Sequence, residues 1–206
     1  MAANYNRTTW FYDTLAKLVY GRNVIEAQVA LIKLIPANSK LLIVGGGTGW
    51  IIEEIGVIHS NLQITYVEVA ANMMAISQKR NVGRNGFTFI NAEIESISLP
   101  QNFDVILTPF FFSNFKQAEA VSLFTHIDLQ LKPGGLWLNA DFQIAGKWWH
   151  RAMLKTMYLF FNLFGAVKTN VLYEVSELFM RGGYKIISAH TFYRDFIISK
   201  VFKKQT

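Results

Sequence analysis

The chain has 206 residues, no cysteine and a net charge of +6, a length that suits one α/β domain with a sizeable core. Without cysteine, disulfides, thiolate zinc sites and a cysteine nucleophile are excluded. The charge is uneven: residues 1–142 hold ten Lys/Arg against eleven Asp/Glu, and residues 143–206 hold ten against three.

The N-terminus, MAANYNRTTW, is polar and lacks the apolar core of a signal peptide. No stretch has the roughly 18 apolar residues of a membrane span, so the expected location is cytoplasmic. Residues 7–20 read as a helix with Trp10, Phe11, Leu15, Leu18 and Val19 on one side, and a second helix runs from Asn23 to Leu34. Pro36 and Asn38 end it. Leu41–Val44 is continuously apolar, as in a strand buried on both faces. Gly45, Gly46, Gly47 and Gly49 follow, and a helical pattern starts at Trp50 and reaches about Ile58. A strand, a glycine turn and a helix start form a site for a nucleotide-like ligand at the carboxyl end of a strand. Gln63–Val67 alternates and then meets Glu68, at the distance expected of a ribose-binding carboxylate.

Asn72 is predicted to cap a helix reaching about Arg80, and Phe87–Ile90 to form a third strand. Phe103–Leu107 reads as the fourth strand, with Thr108, Pro109, Phe110, Phe111 and Phe112 leaving its carboxyl end. A helix over about Asn114–Leu131 leads through Lys132-Pro133-Gly134-Gly135 to a fifth strand, Leu136–Ala140, ending in Asp141-Phe142. In the helix beyond it, Lys147, Arg151 and Lys155 recur at four-residue spacing as a basic ridge. Trp149, Met153, Met157, Phe160, Phe161 and Phe164 fill another face. The segment reads as a basic amphipathic helix or an aromatic-lined lid, or else as a sheet-packing helix with a basic outer face. A short helix over Glu174–Arg181 precedes a hairpin of Tyr184–Phe192 and Phe196–Phe202, turning at Tyr193-Arg194-Asp195.

The glycine spacing is G-x-G-x-G, and Trp50 stands where a dinucleotide fold has its third glycine. This resembles motif I of the class I S-adenosylmethionine-dependent methyltransferases. Lys132-Pro133-Gly134-Gly135 resembles that family's L-x-P-G-G turn. WFYDTLAKLVYG resembles the Tyr-Asp segment of its ubiquinone/menaquinone-type members. The resemblance implies a three-layer α/β sandwich: a seven-stranded, mostly parallel, Rossmann-like sheet with a C-terminal antiparallel hairpin. It also implies one domain over 1–206, with a helical cap over 1–36.

What the resemblance implies for function is a methyltransferase that uses S-adenosyl-L-methionine on a small acceptor. The aromatic wall of Phe110, Phe111, Phe112 and the helix over Trp148–Phe164 points to a lipophilic one, and the other reading is plain aromatic core with a polar acceptor. The implied cofactor-binding residues are Gly45, Gly46, Gly47, Thr48, Gly49, Glu68, Val69, Met73, Ala92, Glu93, Ile94, Thr108 and Pro109. Glu93 matches the adenine-binding acidic position if Glu replaces the usual Asp; a solvated loop glutamate is the other reading. Tyr12, Tyr20, Phe110, Phe111 and Trp149 are the candidate substrate-binding residues. Tyr12 and His150 are candidates for catalysis, with no general base assigned among the four histidines. No metal is expected, because Asp141 stands nearly alone after the fourth and fifth strands.

Two departures from the family pattern bear on the reading. Ile43 occupies the usual acidic position two before the first glycine, where Asp13 is a possible substitute. Thr108-Pro109-Phe110 lacks the Asn/Asp-Pro-Pro-aromatic motif of enzymes that methylate amino groups of nucleic acid or protein. No arginine-rich run or nucleic-acid motif is present either, so nucleic acid is disfavoured as a partner. Peripheral membrane contact through residues 147–164 is considered, and no oligomeric state is assigned. The competing readings are a non-catalytic S-adenosylmethionine or S-adenosylhomocysteine binder, a nicotinamide-dependent oxidoreductase, and a membrane-peripheral scaffold. Trp50 and the terminal hairpin oppose the oxidoreductase.

Overall fold

The structure, a computed structural model, describes residues 20–163, 169 and 172–205, with the side chains of 160–163 excepted. The expected helix over 7–20, with Tyr12 and Asp13, lies outside the described residues apart from Tyr20, as do Phe164 and the side chains of Phe160 and Phe161.

The described elements follow in order: α1 (Asn23–Ile32), β1 (Lys40–Val44), α2 (Trp50–Ile58), β2 (Gln63–Val67), α3 (Ala71–Ser77), β3 (Gly86–Ile90) and β4 (Phe103–Pro109). Then come α4 (Gln117–Asp128), β5 (Leu131–Phe142), α5 (Trp148–Leu163), α6 (Ser176–Arg181), β6 (Tyr184–Phe192) and β7 (Ile197–Lys204). The seven strands form one sheet in the order β3-β2-β1-β4-β5-β7-β6. β1 to β5 are mutually parallel, and β7 runs antiparallel to both β5 and β6. The carboxyl ends of β1 to β6 therefore share one edge, with the β6–β7 turn among them.

Alternation within the strands feeds two cores. Leu42 and Val44 face one layer with Ile106, Trp137, Phe124 of α4 and Phe179 of α6. Leu41 and Ile43 face the other with Ile64, Tyr66, Val105, Leu138 and the apolar stripes of α1 and α2. This period-two division is what makes β1 apolar throughout. In the first core Trp137 stacks on Phe124 (5.1 Å, 7°) and meets Phe179 edge-on at 4.9 Å. A third cluster closes the carboxyl edge: Tyr20, Leu154, Tyr158, Phe196 and Ile197, flanked by Phe110, Phe142 and Trp149.

Local differences from expectation have plain causes. Asn72 does not cap α3; the helix starts at Ala71, with Ala70 at the cap position, two residues before the predicted cap. The Lys132–Gly135 segment lies within β5 as a bulge: Leu131 pairs with Phe103, and Leu136 with Val105. Asp104, the residue opposite the bulge, pins it by an ion pair to Lys132 at 2.8 Å and accepts the Lys40 N–H at 2.8 Å. The helix before β5 ends at Asp128 rather than Leu131.

Candidate functional site

The site is built where β1 ends. Gly45 continues the ladder by donating to Val67 O at 2.9 Å, and the chain then turns through Gly45, Gly47 and Gly49 at φ of 70°, 64° and 75°. The four glycines answer to different needs. A Cβ on Gly45 would lie 2.6 Å from the Phe111 ring, one on Gly46 would overlap the Tyr66 ring, and one on Gly49 would lie 2.6 Å from Ser77 Cβ. Those three are closed by packing. Among the described residues, a Cβ on Gly47 would meet only Met73 Sδ, at 3.9 Å. Over Gly47 the described residues thus leave open space, which is room for a ligand to approach bare main chain.

Glu68 stands immediately after β2 and is 5% exposed. Its Oε2 accepts the Gly47 N–H at 3.0 Å and its Oε1 accepts the Ala70 N–H at 2.8 Å. Burial pushes its carboxyl above the ordinary value, while these backbone N–H groups pull the other way. A carboxylate has about four acceptor positions, so these two bonds leave it acceptor capacity for a ligand hydroxyl.

Two further residues fasten this corner. Tyr66 O–H donates to Gly47 O at 2.9 Å; the ring is fully buried and pairs in register with Ile43. The turn is thus tied down from β2, where the family pattern uses an acid in β1. Asn91, just past β3, donates through Nδ2 to Glu68 O at 2.7 Å and Val69 O at 3.1 Å, leaving its Oδ1 as an acceptor. Sequence reasoning passed over both, although signals existed. Tyr66 lies two residues before Glu68 and shares its face of the strand, and Asn91 is a polar residue closing a strand at the ligand edge.

The remaining candidates are placed as follows. Thr48 is buried, and its carbonyl accepts from Arg80 Nε at 3.1 Å. Met73 is buried beside Gly47, and Val69 is 37% exposed. Ala92 is half-buried, Ile94 is buried, and Glu93 is exposed, with its carbonyl accepting from Ser96. Thr108 is turned into the core. Its hydroxyl donates to Asn139 Oδ1 and accepts from Trp137 Nε1, both at 2.9 Å. Pro109 is buried. Phe111 covers Gly45, whereas Phe110 (φ 52°) packs on Phe142 at 5.0 Å in the edge cluster with Tyr20.

Two expectations are corrected by geometry. His150 is fully buried and both its nitrogens are engaged: Nδ1 accepts the Ala145 N–H at 3.0 Å, and Nε2 lies 3.2 Å from Arg194 O. With its ring held between two backbone groups, it has no nitrogen left to take a proton from an acceptor. Lys147 precedes α5 rather than extending its ridge, and it is paired to Asp195 at 2.8 Å. Trp149 packs on His150, Tyr193 and Phe196.

Past the end of β4, Ser113 is held through both of its backbone groups. Its N–H donates to Asp141 Oδ2 at 3.0 Å, and its carbonyl accepts from the Tyr158 O–H at 3.0 Å. Burial pushes the Asp141 carboxyl up to about 6 and raises the Tyr158 phenol as well, keeping it a donor. Among the described residues there is no group of three His, Asp or Glu placed to hold a metal ion.

The strand order, the lone antiparallel β7 and the glycine turn after β1 define a Rossmann-like methyltransferase fold. Residues 41–135, just under half of the chain, match the family described as a methyltransferase domain. The chain is 32% identical over 95 residues to the malonyl-[acyl-carrier protein] O-methyltransferase of Bacillus cereus, a match covering 45% of this chain. It spans only 35% of that relative's length. Among solved structures, the Burkholderia thailandensis 1,6-didemethyltoxoflavin-N1-methyltransferase, with S-adenosylhomocysteine bound, superposes with a TM-score of 0.69 at 12% identity. That match covers 97% of this chain and 85% of that one. A chain of the Haloferax volcanii complex of the Trm112 methyltransferase activator with a methyltransferase has a TM-score of 0.73 at 10% identity. It covers 100% of this chain and 98% of that one.

Proposed function

We propose that this chain is an S-adenosylmethionine-dependent methyltransferase acting on a small, lipophilic acceptor. The observation that carries the reading is the open space over Gly47 beside the Glu68 carboxylate, in a turn whose other glycines are all closed by packing. Glu68 holds the ribose hydroxyls, with Met73 and Val69 as the apolar wall. Asn91 Oδ1 or Glu93 accepts from the adenine amino group, and Ala92 and Ile94 lie alongside. The family match over residues 41–135 supports the cofactor, whose sulfonium supplies an already activated methyl group. The chain's own task is to hold the acceptor in line and keep water out. Phe110, Phe111 and the edge cluster around Tyr20 and Phe142 provide a dry aromatic boundary for that.

The acceptor is proposed to be lipophilic, as for enzymes of the ubiquinone/menaquinone type, and the whole chain to act as one domain capped by residues 1–36. A peripheral membrane contact fits the outer face of α5. Trp148 and Leu159 are 82% and 63% exposed there, with the exposed Arg151 and Lys155 between them. Among the described residues no helix is long and apolar enough to cross a membrane.

Calorimetric titration with S-adenosylhomocysteine and with NAD tests the cofactor. Binding of the former alone is expected, and binding of NAD alone refutes the reading. Turnover against a panel of lipophilic acceptors then separates an enzyme from a non-catalytic binder.

A further inference from the structure

A groove of about 330 Å³ opens at the carboxyl edge, away from the glycine turn, lined by Trp149 and Met153 of α5 and by Tyr193 and Arg194 of the β6–β7 turn. Its size falls at the small end of the range for small-molecule sites, about 300–1,000 Å³. A row of rings separates it from the cofactor corner. Tyr193 meets Tyr20 at 5.6 Å, Tyr20 meets Phe142 at 5.4 Å, and Phe142 meets Phe110 at 5.0 Å.

The turn forming one wall is strained. Tyr193, Arg194 and Asp195 are consecutive non-glycine residues at φ of 48°, 53° and 68°, a region that L side chains disfavour. The surroundings hold it there from several elements. Lys147 pairs with Asp195 at 2.8 Å and donates to Arg194 O at 3.0 Å. Gln143 Nε2 donates to Asp195 O at 2.9 Å, Thr191 donates to Asp195 Oδ1 at 2.7 Å, and Asn23 Oδ1 accepts the Tyr193 N–H at 3.0 Å. Strain over-determined in this way collects at functional sites. What it achieves here is to set Tyr193 and Arg194 on the groove.

The chemistry of the groove is specific. The Tyr193 and Trp149 rings stand at 75° with centroids 6.0 Å apart, so a flat ring entering the corner meets one face and one edge. Met153 adds a polarizable apolar contact. Arg194 is exposed and makes no ion pair among the described residues, while the adjacent Asp195 is neutralised by Lys147. A guanidinium fork takes a carboxylate bidentately. We propose that this groove binds a planar aromatic carboxylate, the ring against Trp149 and Tyr193 and the carboxylate on Arg194.

The test uses 2-naphthoate and its neutral isostere 2-naphthamide, titrated calorimetrically into the full chain and into Arg194→Gln, Arg194→Lys and Lys155→Gln. Gln and Lys suit the backbone at position 194 no worse than Arg does. Naphthoate is expected to bind the parent and Lys155→Gln alike. Arg194→Gln should weaken it at least tenfold, and Arg194→Lys should retain part of the affinity. Naphthamide should bind weakly and equally to all four proteins. Naphthoate should also shift the Trp149 indole N–H resonance, and saturating S-adenosylhomocysteine should not displace it. No naphthoate binding at millimolar concentration, equal binding to Arg194→Gln, or displacement by S-adenosylhomocysteine overturns the proposal. None of these results bears on the cofactor reading, which stands on the separate S-adenosylhomocysteine titration.

Discussion

The Glu68 carboxylate accepts the Gly47 N–H at 3.0 Å across 21 residues of chain, binding the end of one strand to the turn after its neighbour. The same carboxylate is the one proposed to hold the ribose, so order in the turn and affinity for the cofactor rest on one group. Glu68→Ala should weaken S-adenosylhomocysteine binding by about 1.5–3 kcal/mol, the scale of hydrogen bonds to a charged group. Calorimetry on the folded variant checks this, and unchanged affinity removes Glu68 from the site.

Gly46 and Gly47 are adjacent, and alanine should affect them differently. Gly47→Ala places its Cβ in open space; its cost in stability is that of φ at 64°, about 1–2 kcal/mol. Cofactor binding should fall sharply. Gly46→Ala drives its Cβ into the Tyr66 ring, and overpacking of this kind costs about 1–3 kcal/mol. Thermal unfolding should therefore show the larger loss for Gly46→Ala, because the Tyr66 ring is held by its bond to Gly47 O. Cofactor titration should show the larger loss for Gly47→Ala.

Tyr66→Phe removes the O–H that donates to Gly47 O. A net loss of about 1 kcal/mol in stability is expected, together with weaker cofactor binding from a looser turn. Denaturant unfolding and calorimetry measure the two effects. An unchanged turn in both would mean that Glu68 alone orders it.

Asp141 makes stability depend on pH. Its carboxyl is raised by burial from 3.8 to about 6, so between those values the folded chain holds a proton that the unfolded chain has released. The native state is therefore favoured at low pH, and this contribution is lost as pH rises through the window, by about 3 kcal/mol in full. Asp141→Asn cannot titrate. The unfolding free energy of the parent minus that of the variant should fall between pH 4 and pH 7, and a flat difference refutes the shift. The variant should also be weaker throughout, because its NH₂ group faces the Ser113 or Phe142 N–H in place of an acceptor.

If α5 meets an anionic surface, the cations concerned are Arg151 and Lys155, not Lys147. Arg151→Glu with Lys155→Glu should abolish flotation with anionic vesicles at low salt, each residue contributing about 1 kcal/mol. Lys147→Ala should leave flotation nearly unchanged and instead loosen the β6–β7 turn. If the unmodified chain does not float, the surface reading fails and the cofactor reading is untouched.

The sequence by itself determined the parts governed by local rules. Continuous apolarity marked β1 as a doubly buried strand, glycine spacing marked the turn, and Glu68 stood at the end of an alternating strand. Tyr184–Phe192 and the turn at 193–195 were legible because a run with β-branched and aromatic residues and the polar break after it are local as well. Strand order followed from resemblance to a family rather than from any pattern within a strand. Only the tertiary structure decided which glycine is left uncovered, because that depends on what lies opposite each Cα: Phe111, Tyr66 and Ser77 for three of them, and, among the described residues, open space for Gly47. It also decided that His150 and Thr108 are spent on internal hydrogen bonds and that Lys147 belongs to Asp195. A side chain's type says what it can bond. Partners 28 to 48 residues away in the chain are brought within 3 Å of it only when the sheet orders its strands.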